Sequence, residues 1–213
     1  MGIVREIPDI VTPREILETE WKPITKLGML VKEGRIRSID EIFAVTRKIP
    51  EWQIVDWLVP ELRGYVIDVE IVQRQTDSGK RNAFRVMVAI GNMDGYIGVG
   101  LGKHAEQRMA ILKALRRAKK NLAPILRGCG SWECRCGQPH SIPYKVEGKA
   151  GSVRVIFYPG PRGLGLVAGD IAKILLRLAG VHDVWSKTFG NTRTHINFAQ
   201  AVYNALTNTY YLL

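Results

Sequence analysis

Hydrophobic and polar positions change period several times along this chain, and each change marks an element. Val66, Asp68, Glu70 and Val72 alternate with Ile67, Val69 and Ile71, and Phe84 to Ile90 forms a second apolar run, so the pattern predicts two strands. Thr76 to Asn82 reads as the turn between them, with Asp77, Ser78 and Gly79 suited to its backbone angles. A further turn, Asn92 to Gly95, leads into a strand in which Gly98, Gly100 and Gly102 alternate with Ile97, Val99 and Leu101. Such a strand is bare on one side, which lets another backbone or a phosphate come close. From Lys103 the period turns helical. Ile111, Leu115, Ala118 and Leu122 fall on one stripe and Lys113, Arg116, Arg117 and Lys120 on the other. The expected helix docks its apolar stripe on the sheet, points its cations to solvent, and offers its first amides, near His104 and Ala105, to a phosphate.

A second α/β unit follows. Tyr144 to Glu147 and Ser152 to Tyr158 read as a hairpin turning at Gly148 to Gly151. The loop from Pro159 to Gly165 opens a helix through Leu178 that Gly180 closes, Val181 to Phe189 reads as a strand, and Asn191 to Thr194 caps a last helix with Phe198, Val202 and Leu206 on one face. The fold class is therefore α+β. It consists of an N-terminal arm (1–62), a three-stranded sheet with one helix of double-stranded-RNA-binding type (63–128), a Cys/His linker (129–140), and an α/β sandwich with helices on one face (141–213).

The arm is broken by Pro8, Pro13, Pro23, Pro50 and Pro60 into short helical pieces. Thr12, ahead of Pro13 and Glu15, is expected to cap one helix, and Ser38 another. Trp21, Trp52 and Trp57 have few large apolar neighbours in sequence. Two arrangements stay open: an arm that lies on something else, or a small helical subdomain packed on the next segment.

Charge adds a function class. The chain carries 31 Lys+Arg against 20 Asp+Glu, unevenly spread: 9 against 11 in residues 1–62, 13 against 5 in 63–128, and 9 against 4 in 129–213. The middle and the end are thus the parts suited to a polyanion. No apolar run is long enough to cross a membrane, and the N-terminus lacks the apolar core of a signal peptide, so a cytoplasmic protein is expected. Disulfides are rare in that compartment. All three cysteines lie within CGSWECRCGQPH, spaced Cys129-x4-Cys134-x-Cys136-x3-His140. Three thiolates and an imidazole are a structural zinc set; the other reading is free thiols in a tight turn, with His140 a packing or RNA-contact residue.

Three motifs together resemble the small-subunit ribosomal protein S5 family in its archaeal form, which is related to the eukaryotic cytosolic S2 protein. They are GYIGVGLGKHAEQRMAILKALRRAKKNL, GQPHSIPYKVEGKAGSVRVIFYPGPRGLGLVAG and LAGVHDVWSKTFGNTRTHINFAQAVYNAL, spanning roughly Arg63 to Leu206. The arm, through WKPITKLGMLVKEGRIRSIDEIF, resembles the extension of archaeal and eukaryotic members. The resemblance implies a structural ribosomal RNA-binding protein near the decoding centre and the channel through which messenger RNA arrives, beside ribosomal proteins S4, S3 and S8. It implies RNA contacts from the loop Gln73 to Asn82, through Arg74, Lys80 and Arg81, and from Lys103 and His104. The basic helix adds Lys113, Arg116, Arg117 and Lys120, and the second domain Arg162, Lys187 and Arg193, on loops before and between its helices. The Cys/His stretch departs from the bacterial pattern.

Two other classes compete. Pro159-x3-Gly163-Leu164-Gly165-x2-Ala168 resembles the phosphate loop of small-molecule kinases of the galactokinase type, but Leu166 and Val167 stand where that motif has serines. A free-standing RNA chaperone using the first domain alone is the other; the acidic, tryptophan-bearing arm argues against it.

Overall fold

The computed structural model describes residues 5–7, 10–134 and 136–211, so the break expected at Pro8 lies outside the described residues. In chain order the elements are β1 (Arg5–Glu6), α1 (Arg14–Glu20), α2 (Lys26–Lys32), α3 (Ile39–Val45), α4 (Trp52–Leu58), β2 (Arg63–Thr76), β3 (Gly79–Gly91), β4 (Tyr96–His104), α5 (Gln107–Lys120) and β5 (Ala123–Pro124). The second half holds β6 (Val146–Ala150), β7 (Val153–Pro159), β8 (Leu166–Val167), α6 (Asp170–Ala179), β9 (Val184–Phe189) and α7 (His195–Tyr211).

β1 to β5 form an antiparallel sheet in sequence order, in which the three long predicted strands gain a short strand at each edge. The second sheet has the order β6-β7-β9-β8, with β8 parallel to β9 and the other pairs antiparallel. The two sheets share a core. Ile67, Met87, Ala89, Ile97 and Val99 of the first sheet pack with Leu175, Leu178, Val202 and Leu206 of α6 and α7, whose other side covers Val153, Val155 and Phe157 of the second. The helices are thus on one face of the second sheet, as expected, and at the same time line the inner face of the first.

The opposite face of the first sheet takes α5, and the bare side of β4 explains how. A Cβ at Gly98, Gly100 or Gly102 would stand 2.4, 2.2 and 2.2 Å from the carbonyl oxygens of Ala118, Ala114 and Ala110. The close approach foreseen for this glycine face is therefore made by a helix backbone. Ala110, Ala114 and Ala118 are fully buried against it. Gly148 of β6 does the same for α7, its Cβ position 2.2 Å from Ala201 O.

Residues of the arm adopt the second of the two open arrangements. Four helices of seven residues each lie on α5 and the sheet, and Val31, Ile42, Ile54 and Val55 share a core with Val86, Val88, Ala114 and Leu115. Ser38 caps α3 by accepting from Asp40 N. Thr12 does not cap α1: the cap position is Pro13, and Thr12 N donates to Asp56 Oδ2 at 3.3 Å. Glu51 gathers this layer, its carboxylate accepting from Trp21 Nε1 (2.8 Å), Ile24 N (3.0 Å), Thr25 N (2.7 Å) and Thr25 Oγ1 (2.7 Å).

Several boundaries move. The second hairpin turn, expected over Gly148 to Gly151, narrows to Gly151 and Ser152, because pairing continues to Ala150↔Val153. The turn expected over Thr76 to Asn82 narrows to Asp77 and Ser78, because pairing continues to Thr76↔Gly79. The helix expected from Lys103 begins at Gln107, since Lys103 and His104 still pair with Arg85 and Phe84 of β3. In the second unit Leu166–Val167 pairs with β9 before α6 starts at Asp170, and Gly180 ends α6 in the left-handed region (φ 76°).

Candidate RNA interface and metal centre

β4 stops pairing with β3 at Phe84↔His104, whereas β2 and β3 pair on to Thr76↔Gly79. The end of the hairpin therefore projects beyond the sheet as a two-stranded ribbon. Arg74 stands directly opposite Arg81, and Gln75 opposite Lys80. Like charges facing each other across strands repel, and Arg74, Lys80 and Arg81 are all exposed. A phosphate between them turns that repulsion into attraction. The stretch expected as a loop is thus mostly a two-stranded ribbon. At its base sit Lys103, exposed, and His104, half-buried, with Arg108 exposed in the first turn of α5. Arg108 was not foreseen by sequence reasoning, although its place one turn after Lys103 carried the signal. The N-cap of α5 is Glu106, whose N–H donates to His104 Nδ1 at 3.1 Å, so the first amide near the expected phosphate seat already has an internal partner.

On α5, Lys113, Arg116, Arg117 and Lys120 are exposed. Two of them also serve the fold: the Arg116 guanidinium lies 5.4 Å from the Trp52 ring centroid, and Arg117 Nη1 donates to Leu101 O at 2.7 Å. Lys120 borders a crevice of about 230 Å³ with Arg47 and Lys48 of the arm. Lys119, outside the basic stripe, is buried instead. Its ammonium is held by Asp56 and by Ile10 O at 2.7 Å; burial pushes its pKa down while Asp56 pulls it back up.

The second-domain cations do not converge. Arg162 is on the loop between β7 and β8, at the start of β9, and Arg193 is on the loop beyond its far end. Lys187, grouped with the loop cations by the resemblance, lies within β9, inside the strand expected over Val181 to Phe189, and stands opposite Ile156.

The four Cys/His residues do converge. The ligand atoms of Cys129, Cys134, Cys136 and His140 all lie within 4.8 Å of one another. Cys134 Sγ is 3.8 Å from His140 Nε2, and Cys129 Sγ contacts Cys134 O at 2.7 Å. His140 Nδ1 meets Asp183 Oδ2 at 2.8 Å, which fixes the ring with Nε2 facing the thiols, the usual way a carboxylate orients a metal-ligating histidine. Cys134 is lowered to about 6, chiefly by the Arg162 backbone N–H and then by that of Cys136. Cys129 is lowered too, first by its hydrogen bond to His140. Three thiols around one imidazole, two of them depressed, make a cluster that can hold a metal.

Asp183 extends the cluster into the loop before β8. Its Oδ1 accepts from Gly163 N (3.1 Å) and Gly165 N (2.8 Å), the glycine amides that a nucleotide phosphate would need in the kinase reading. Ser141 Oγ donates to Asp183 O and accepts from Gly160 N at 3.2 Å. Asp183 is a functional residue that sequence reasoning missed; a lone carboxylate between Val181 and Val184 was its signal.

A sheet-and-helix module with a projecting basic ribbon, joined through a Cys/His cluster to a second α/β unit, is the build of a nucleic-acid-binding α+β protein. Comparison with known proteins makes this specific. Residues 62–126 match ribosomal protein S5, N-terminal domain, and residues 148–213 match ribosomal protein S5, C-terminal domain. The chain is 60% identical over 191 residues to the small ribosomal subunit protein uS5 of Pyrobaculum islandicum, covering 90% of this chain and 95% of the relative. The uS5 of Hyperthermus butylicus is 59% identical over 195 residues (91% and 92%), and that of Staphylothermus marinus 55% over 204 residues (96% and 95%). The chain belongs to the ribosomal protein S5 family.

Proposed function

We propose that this chain is a structural constituent of the small ribosomal subunit, working in the cytoplasm in translation, and that it holds ribosomal RNA through the β2–β3 ribbon and the exposed face of α5. The carrying observation is the ribbon, where Arg74 faces Arg81 with Lys80 alongside and no acidic residue opposite any of them. Shape and phosphates are what such a surface reads. Ribosomal proteins S4, S3 and S8 and incoming messenger RNA are the partners this reading assigns. Lys103, His104, Lys113 and Lys120 continue the surface from the ribbon, while Arg162 and Arg193 serve separate contacts. The working units are the arm (1–62), the RNA-binding module (63–128), the Cys/His joint (129–140) and the C-terminal domain (141–213).

The joint holds one structural zinc ion through Cys129, Cys134, Cys136 and His140. Catalysis has no part in this reading, which the engagement of Gly163 and Gly165 by Asp183 supports. The test is the salt dependence of binding to duplex ribosomal RNA fragments. Arg81→Gln should weaken binding without changing sequence preference and reduce the slope of log K against log salt by about 1. An unchanged slope would remove the ribbon from the interface. In cells the same substitution should alter misreading; a viable variant with normal accuracy would count against the ribbon's role in decoding.

A further inference from the structure

The outer face of the second sheet, turned away from α6 and α7, is built unlike an ordinary solvated surface. The β7–β9 register places Tyr158 beside Trp185, Ile156 beside Lys187 and Arg154 beside Phe189, each pair sharing that face. Trp185 and Phe189 are 46% and 43% exposed. Cations stand over these rings: Lys145 5.4 Å from the Tyr158 centroid, Lys187 5.3 Å and Arg154 6.0 Å from that of Phe189. From the Cys/His loop Trp132, 86% exposed, borders the same crevice as Tyr158 and Trp185. β6 adds Lys149, opposite Arg154, and one carboxylate, Glu147, which pairs with Arg154.

We propose that this face is a second RNA site, a stacking platform for an unpaired segment of ribosomal RNA, distinct from the duplex-binding ribbon and α5. Exposed rings on a sheet surface offer faces on which bases stack, and interleaved lysines and arginines neutralise the connecting phosphates. Trp185 and Phe189 are four residues apart on one strand, about 13 Å, a span that two or three bases cover. A protein partner fits less well, because the core of such an interface is depleted in charge, and here cations stand over the Tyr158 and Phe189 rings. Duplex RNA fits less well too, since its bases are already stacked and present no free faces.

The test uses the full chain and two probes: a pyrimidine-rich RNA 10-mer without self-pairing, and a duplex RNA. Trp185→Leu and Phe189→Leu keep apolar bulk at exposed positions while removing the ring. Each should weaken the 10-mer about tenfold and leave duplex affinity unchanged, whereas Arg81→Gln should do the reverse. Unchanged 10-mer affinity in both Leu variants, or an equal loss on the duplex, overturns the platform. Failure of Arg81→Gln to weaken the duplex would count against the ribbon alone, so the two readings fail separately. In intact small subunits, ultraviolet crosslinking should join the peptide carrying Trp185 and Phe189 to unpaired ribosomal RNA nucleotides. A crosslink from that peptide to a neighbouring protein in their place overturns the assignment.

Discussion

Lys119 of α5 and Asp56 of α4 form an ion pair with Nζ 2.6 Å from Oδ1, and their side chains are only 2% and 0% exposed. It joins the arm to the RNA-binding module at a point sealed from water. Trp52 lies against the pair, its ring centroid 5.2 Å from Nζ, and Asp56 also receives the Thr12 N–H. Removing one partner leaves the other charged and buried. Asp56→Ala should therefore lower stability by about 3–5 kcal/mol in chemical denaturation. Asp56→Leu combined with Lys119→Met should recover most of that loss, because both desolvation terms vanish together. A single variant as stable as the parent would show that the pair is not what fastens the arm.

Acid should loosen the same layer through Glu51. Burial pushes its carboxyl up, but hydrogen bonds from the Thr25 hydroxyl, the Trp21 indole and the Thr25 and Ile24 backbone outweigh it and hold the value below 4.5. The folded carboxylate binds its proton less tightly than the unfolded one, so the stability it contributes is full above about pH 4.5 and is lost as pH falls toward the lower folded value. Thermal melts of the parent between pH 6 and pH 3 should show this acid loss, and Glu51→Gln should flatten it. Equal pH slopes in the two proteins would exclude Glu51 as its source.

The strand-to-helix contact predicts a different sensitivity. Gly100→Ala would put a methyl group 2.2 Å from Ala114 O and 2.3 Å from Ala118 N, both backbone atoms that move only if the helix moves. A loss of about 3 kcal/mol or more is expected, at the upper end of overpacking effects. Gly79→Ala, by contrast, meets open space at the ribbon tip; its penalty comes only from a φ of 118°. Denaturation midpoints of the two variants should rank in that order.

Metal binding should depend on Asp183 as well as on the ligands. Cys134→Ser and Cys136→Ser should abolish zinc, read as metal content per chain by mass spectrometry. Asp183→Asn should retain the ligands but weaken zinc about 10- to 100-fold. It should also speed amide exchange at Gly163 and Gly165, whose N–H groups bond that carboxylate. Zinc retained at full affinity in Asp183→Asn would leave the aspartate a loop anchor only.

Much of this is legible in the sequence. The glycine alternation gave β4 with its bare face, and the four-ligand spacing brought Cys129, Cys134, Cys136 and His140 together. Single-sequence periodicity failed where tertiary pairing decided the outcome. Lys103 and His104 stay in a strand because β3 is there to pair with them. Asp56, Lys119 and Asp183 were out of reach because their partners lie 63 and 43 residues away in sequence. Local pattern shows a polar residue in an apolar run; only the fold shows what satisfies it.

α6 and α7 lie between the two sheets, and this has a consequence for the chain as it is being made. Ile67, Met87, Ala89, Ile97 and Val99 are all in place once residue 104 has formed its strand, yet the side chains that cover them come from residues 172 to 206. For some seventy to a hundred residues of synthesis, the finished first sheet exposes an apolar face to the cell. That face is covered only when α6 and α7 have been made.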